Sequence, residues 1–226
     1  MANSGTYNFS PSLGSLTLAA FSRCQIARTE LTPQHHENAF LEMNLLQSFW
    51  GADGITWWTV TEYQQPLSAG VATYNVPANA IAVLDVYITV NGSFNRLLFP
   101  FSRTDYASLA EPNQEGYPTS FWNNRLLTQT LMLWPVPDAN ATYVMTYYYY
   151  QQIQDATPQQ GGNAAIPYFW LDAYVAELAY RLSRHHAPAL EDKRKVDAKE
   201  AYATACKQTE PSPMYITPGL QNYFRA

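Results

Sequence analysis

The hydrophobic period of this chain changes at Ile55 and changes back beyond Gln152, and that alternation limits the possible folds more than any other feature. Before Ile55 the apolar residues recur at helical spacing. Leu13, Leu16, Ala20, Cys24 and Ala27 make one stripe, and Ala39, Met43, Leu46 and Trp50 make a second. Ser12 is placed to cap the first helix. Thr32-Pro33 starts the second, with a cap followed by proline at the first helical position, where a missing N–H costs nothing. Gly51 and Gly54 mark its stop, and the short link between the two stripes predicts an αα-hairpin.

The middle of the chain carries β signals. Ile55 to Tyr63 is rich in Trp, Thr and Val, and Val71 to Val76 is a second short run. Ile81 to Val90 is strongly β-branched and ends in Asn91-Gly92, a two-residue hairpin signal, so Phe94 to Phe101 is expected as the returning strand. Leu126 to Trp134 and Thr142 to Gln151 suggest a further hairpin, with Pro137-Asp138-Ala139-Asn140 as its turn. Several short strands separated by turns predict an antiparallel β-sandwich or a small barrel.

A Pro/Gln/Gly linker, Thr157 to Asn163, leads into Ile166-Pro167 and a third helix with the stripe Leu171, Val175, Leu178 and Leu182. Pro188 restarts a fourth helix to about Lys207, in which Lys193-Arg194-Lys195 is mixed with Glu191, Asp192, Asp197 and Glu200 and is expected to be a solvated face. The last stretch contains Pro211, Pro213, Pro218 and Gly219, which forbid a continuous helix, yet it carries Met214, Tyr215, Ile216, Leu220, Tyr223 and Phe224. A solvated tail has no use for so many large apolar groups, so this stretch either folds back or docks on a neighbour as an extended arm. The expected class is therefore α+β. A helical body (13–54 and 164–209) would carry a central β-domain (55–156), an N-terminal arm (1–12) and an extended C-terminal arm (210–226).

Charged residues make up 14% of the chain, against roughly 25% in an average globular protein. Tyrosine alone contributes 17 residues, and large amphipathic rings with few charges suit a surface covered by other protein. The charge is also lopsided. Residues 29–180 hold thirteen acidic residues against Arg96, Arg103 and Arg125, whereas both ends are basic. Gripping nucleic acid calls for a broad basic stripe, which this layout lacks, although it allows DNA to slide past. No run approaches the roughly 20 apolar residues of a membrane span, and Met1 to Ser10 lacks the pattern of a secretory signal. Cys24 and Cys206 lie far apart and form neither a disulfide framework nor a zinc motif, which points to synthesis in a reducing cytoplasm.

The residues offer little for catalysis. There is no G-x-S-x-G elbow and no phosphate loop, since Gly161-Gly162 lacks the following Lys and Ser/Thr. The histidines come as two doublets, His35-His36 and His185-His186. Neighbours on a helix point about a hundred degrees apart, so a doublet does not make the two-ligand face of an i, i+4 pair. Asp105, Glu111 and Glu115 could form a carboxylate pair for glycoside hydrolysis, with Tyr117, Phe121 and Trp122 as sugar-stacking platforms. That is the alternative reading, a carbohydrate-binding or cell-wall-degrading β-domain. No catalytic, cofactor or metal residue is assigned.

Several segments together carry a resemblance. Glu37-Asn38-Ala39 through Leu45-Leu46-Gln47-Ser48-Phe49-Trp50 is followed by Leu67-Ser68-Ala69-Gly70-Val71-Ala72-Thr73-Tyr74-Asn75-Val76-Pro77. Next come Ser102-Arg103-Thr104-Asp105-Tyr106, Gly116-Tyr117-Pro118-Thr119-Ser120-Phe121 and Leu131-Met132-Leu133-Trp134-Pro135-Val136-Pro137-Asp138. Tyr143 to Tyr150 follows, and then Ile166-Pro167 and Trp170 open the helix Leu171 to Leu182. In that order, over roughly residues 13 to 185, the chain resembles the head-to-tail adaptors (tail accessory factors) of tailed phages, the short-tailed ones above all.

The resemblance implies a structural virion protein without enzymatic activity or cofactor, made in the host cytoplasm and incorporated at the head–tail junction. It implies a dodecameric ring beneath the portal protein that extends the DNA channel without gripping DNA. Such a ring offers a platform to tail nozzle, fibre or tailspike proteins. On that pattern the arm residues Met214, Tyr215, Ile216, Leu220, Tyr223 and Phe224 would meet the portal.

Overall fold

A computed structural model describes residues 9–156 and 162–209. Five α-helices lie in the described residues: α1 (Leu13–Arg23), α2 (Pro33–Asp53), α3 (Arg103–Ala107), α4 (Leu171–His186) and α5 (Glu191–Thr209). The strands are β1 (Val60–Pro66), β2 (Thr73–Asn75), β3 (Ala80–Val90), β4 (Phe94–Leu97), β5 (Phe99–Phe101), β6 (Glu115–Gly116), β7 (Ser120–Asn124), β8 (Thr130–Trp134), β9 (Val136–Pro137) and β10 (Tyr143–Gln151). The fold is mixed α+β. It divides into two compact units, with one boundary inside α2 between Met43 and Asn44 and the other between Asp155 and Ala156.

The helical unit is organised around α4. Leu171, Val175, Leu178 and Leu182 are buried as their spacing requires, and Ala173, Tyr174, Ala176 and Ala179 are buried as well. Helices α1 and α5 both pack on α4, which explains apolar character around more than one face. Small residues allow the close approaches: the Cys24 thiol lies 3.3 Å from the Ala179 carbonyl, and Ala198 and Ala205 of α5 are buried. The Ser12 hydroxyl accepts the Ser15 N–H at 3.2 Å and caps α1.

Helix α1 ends earlier than its apolar stripe suggests. Gln25 takes a positive φ of 63°, its N–H reaches the Ser22 carbonyl, and the Ile26 N–H returns to that of Phe21. This is a Schellman closure with glutamine where glycine is usual, and it leaves Ala27 outside the helix. Helix α4 is also entered differently. A single 3₁₀ turn, Tyr168–Trp170, follows Pro167, and it buries the Trp170 indole edge-on to Tyr202 at a centroid distance of 5.6 Å.

Helix α2 begins at Pro33, and Ala39, Met43, Leu46 and Trp50 are all buried. Gly54, at φ 76°, follows its last residue as expected. Gly51 does not stop the helix. It sits within the last turn, where an added Cβ would lie 2.9 Å from the Ile81 Cδ1.

In the β-unit, one sheet runs β1-β10-β3-β4 and a second runs β2-β8-β7-β5, with β6 and β9 paired separately. Tyr143, Met145, Tyr147 and Tyr149 of β10 are buried in strict alternation. They share one core with Val86 and Ile88 of β3 and with Tyr74, Phe121, Leu131 and Leu133 of the other sheet. Burying each such side chain contributes about 1.5–3 kcal/mol. Asn91 and Gly92 have φ of 47° and 71° and the Ser93 N–H bonds the Val90 carbonyl at 3.1 Å, so the β3–β4 connection is the hairpin turn that the sequence predicts.

Four expectations for this unit are corrected. The run from Ile55 starts with a 3₁₀ turn, Trp57–Thr59, and the strand begins only at Val60. Phe94 to Phe101 is not one strand: buried Leu98 donates its N–H to the Val86 carbonyl at 2.8 Å, and the chain passes there from β4 in one sheet to β5 in the other. β8 and β10 do not form a hairpin, because β8 lies between β2 and β7 while β10 lies between β1 and β3. Asp138 still makes its turn, accepting the Asn140 N–H at 3.1 Å, but the turn joins two sheets. Finally, the sheets do not close into a barrel, and the pairing is mixed, with β5–β7 and β6–β9 parallel.

Candidate interaction surfaces

In the helical unit the notable polar cluster is formed by the two histidine doublets. His35, in the first turn of α2, and His186, at the end of α4, bring their rings to a centroid distance of 4.2 Å with 31° between planes. Phe21 of α1 lies against both, at 5.7 and 6.0 Å. The Asn38 amide is 3.3 Å from His186 Nε2, and His35 Nδ1 is paired with the Thr32 hydroxyl at 2.6 Å. Burial, followed by the neighbouring His35 and His185, holds His186 below the ordinary imidazole value. Glu42, one turn beyond Asn38, takes His185 at 3.0 Å and Arg181 at 3.5 Å. One histidine of each doublet instead meets the other across helices, His35 with His186. Their association across helices was missed because the two positions are 151 residues apart, and the only local signal is that each doublet sits at a helix end.

A groove along α5 is lined by Arg23, Tyr168, Phe169, Asp172, Arg194 and Asp197 among others. Arg23 is paired with Asp172, and Arg194 with Asp197 at 2.9 Å. The Lys193-Arg194-Lys195 cluster is therefore only partly a solvated face. Lys193 and Lys195 are exposed, whereas Arg194 turns inward to its partner.

In the β-unit the residues of the glycan reading are placed as follows. Phe121 belongs to the core. Trp122 is half-buried with its ring 5.2 Å from that of Tyr106, and Tyr117 is packed against Tyr143. Asp105 closes a capping box with Ser102, whose bonds hold the carboxyl below its usual value. Glu111 and Glu115 do not line the recess beside Trp122, whose charged lining residues are Arg103 and Arg125.

A second polar feature is the Asp138–Tyr143 bond, 2.8 Å long. The hydrogen bonds from Tyr143 and Asn140 lower the Asp138 carboxyl, while burial and that carboxylate push the Tyr143 phenol up to about 12. On the face of the first sheet away from the core, Tyr148 donates to Glu62 at 3.1 Å beside Tyr87 and Thr89. The outward tyrosines Tyr87 and Tyr148 thus line, with Glu62, a recess of about 380 Å³ on this polar face.

Cys24 is buried, and burial raises its thiol, so it packs as a small apolar group. Among the described residues no group of three or more His, Cys, Asp or Glu is arranged to hold a metal ion, and no helix is long and apolar enough to cross a membrane. The arm residues Met214, Tyr215, Ile216, Leu220, Tyr223 and Phe224 lie outside the described residues.

Residues 37–215, most of the chain, match the family model of the SU10 adaptor protein, and the chain belongs to that family. Its role is that of a phage structural adaptor. No curated protein matches the chain.

Proposed function

We propose that this chain is the head-to-tail adaptor subunit of a virion, assembling as a dodecameric ring beneath the portal, extending the DNA channel and providing the platform for the tail. The family membership carries this reading. Residues 13–54 and 164–209 would form the ring body, 55–156 the part offered to nozzle, fibre or tailspike proteins, 1–12 an N-terminal arm and 210–226 an arm on the portal. Twelve equivalent arms on a symmetric partner would act by avidity, each contact raising the effective concentration of the next. The acidic balance of residues 29–180 suits a channel wall that repels phosphate and lets DNA pass.

Co-sedimentation of the purified chain with its cognate portal ring, followed by particle imaging, tests this. Stoichiometric rings that are lost on deleting residues 214–226 support both the ring and the arm. A chain that stays monomeric and ignores the portal refutes the adaptor reading. A channel lined by Arg and Lys would refute the repulsive wall alone.

A further inference from the structure

Residues 29–180 hold only three basic side chains, and two of them, Arg103 and Arg125, line the same recess of about 320 Å³. Its other walls come from Val83 and Leu84 of β3, Pro100 and Phe101 of β5, and Phe121, Trp122 and Asn123 of β7, and among the described residues no carboxylate lines it. Arg103 is fixed at the start of α3 by the Ser102 cap, and Arg125 opens the β7–β8 connection. Both are exposed and neither is in a salt bridge with a described residue.

Two more observations point to an occupant. The β3–β4 ladder begins at Tyr87↔Leu97, so β4 does not pair with β3 over residues 82–85, beside Leu84. The β7–β8 connection exposes Leu126 and Leu127 directly after Arg125, and Leu84 is partly exposed too. Exposed leucines at the tip of a connection are costly in water and gain most from contact with protein.

We infer that this recess docks an extended acidic segment of a partner protein, with a carboxylate between Arg103 and Arg125 and apolar side chains on Leu84, Leu126 and Leu127. Nucleic acid fits less well, because phosphates would bring nothing to cover the leucines. A second copy of this chain is the other protein occupant, and the labelled chain in the test below reads that case.

The test uses the purified full chain and a short labelled peptide of alternating glutamate and leucine, read by fluorescence anisotropy. The matching lysine–leucine peptide, a single-stranded oligonucleotide and the labelled chain itself are run beside it. The acidic peptide should bind, and binding should weaken about tenfold or more in R103E/R125E and weaken as well in L126S/L127S. All four positions are exposed, and unchanged circular dichroism of each variant confirms that it folds. The inference is overturned if the acidic peptide fails to bind, if either double variant binds it equally well, or if the oligonucleotide displaces it. Self-association abolished by the same variants would overturn it in favour of a contact between copies. No portal is present, so each of these results leaves the ring reading where it stood.

Discussion

His35 and His186, from opposite ends of the chain, stack at 4.2 Å with Phe21 against both rings. Two imidazoles at that distance do not readily carry charge together. His186 lies beside His185, which Glu42 takes, and against the Asn38 amide, while His35 is paired with Thr32. His186 therefore binds its proton less readily folded than unfolded, so the unfolded chain takes up more protons as pH falls.

Stability contributed at this position is accordingly complete above the ordinary imidazole value of 6.5 and is lost as pH falls through the lowered folded value. Urea midpoints measured from neutral to mildly acidic pH should fall over that window, and less steeply in His186→Asn. An equal slope in the variant would assign the pH dependence to other groups.

Gly51 gives up helix propensity because its missing Cβ makes room for the Ile81 methyl. Alanine there gains about 1 kcal/mol of propensity but must displace that methyl by a few tenths of an ångström. Gly51→Ala should be close to neutral in the native sequence and stabilise by about 1 kcal/mol in an Ile81→Val background. A double-mutant cycle with no coupling between the two positions would show that the contact imposes nothing.

Tyr143→Phe removes the principal donor to Asp138. The Asp138 carboxyl, held below its usual value in the native chain, should then titrate closer to an ordinary aspartate in a carbon-detected NMR titration. Stability contributed by that bond is present above the ordinary carboxyl value and fades as pH falls through the lowered one, so its removal should matter most near neutrality. An unmoved Asp138 would leave Asn140 as its sole support.

Leu133 is fully buried where the two sheets share their core. Leu133→Ala should cost about 2–5 kcal/mol, the range for a leucine whose surroundings cannot collapse fully into the space left. Chemical denaturation followed by tryptophan fluorescence measures it. A cost below about 1 kcal/mol would mean that this core repacks freely.

What the sequence made legible is what short-range physics decides. Ala39, Met43, Leu46 and Trp50 were readable as a buried stripe because their spacing is itself the cause of their burial. Asn91-Gly92 specified its turn because few other pairs adopt two positive φ values cheaply. The choice between strand partners was hidden. β8 and β10 each satisfy a period of two equally well beside either sheet, and only the shared core decides. The crossing at Leu98 was invisible for the same reason. Helix α3 was a different kind of miss, since Ser102 and Asp105 carry the capping-box spacing, but no apolar run follows to mark a helix. The recess between Arg103 and Arg125 combines residues 22 apart in sequence, and the scarcity of other basic residues nearby was its one available hint.

The ladder between β1 and β10 has a mechanical consequence. Val60, where the chain enters the first sheet, lies opposite Tyr150, one residue before β10 ends. A force drawing those two chain ends apart would load the hydrogen bonds one after another, as in opening a zipper, and not all together in shear. The strand pair is thus weaker when drawn apart at that end than when sheared along its length.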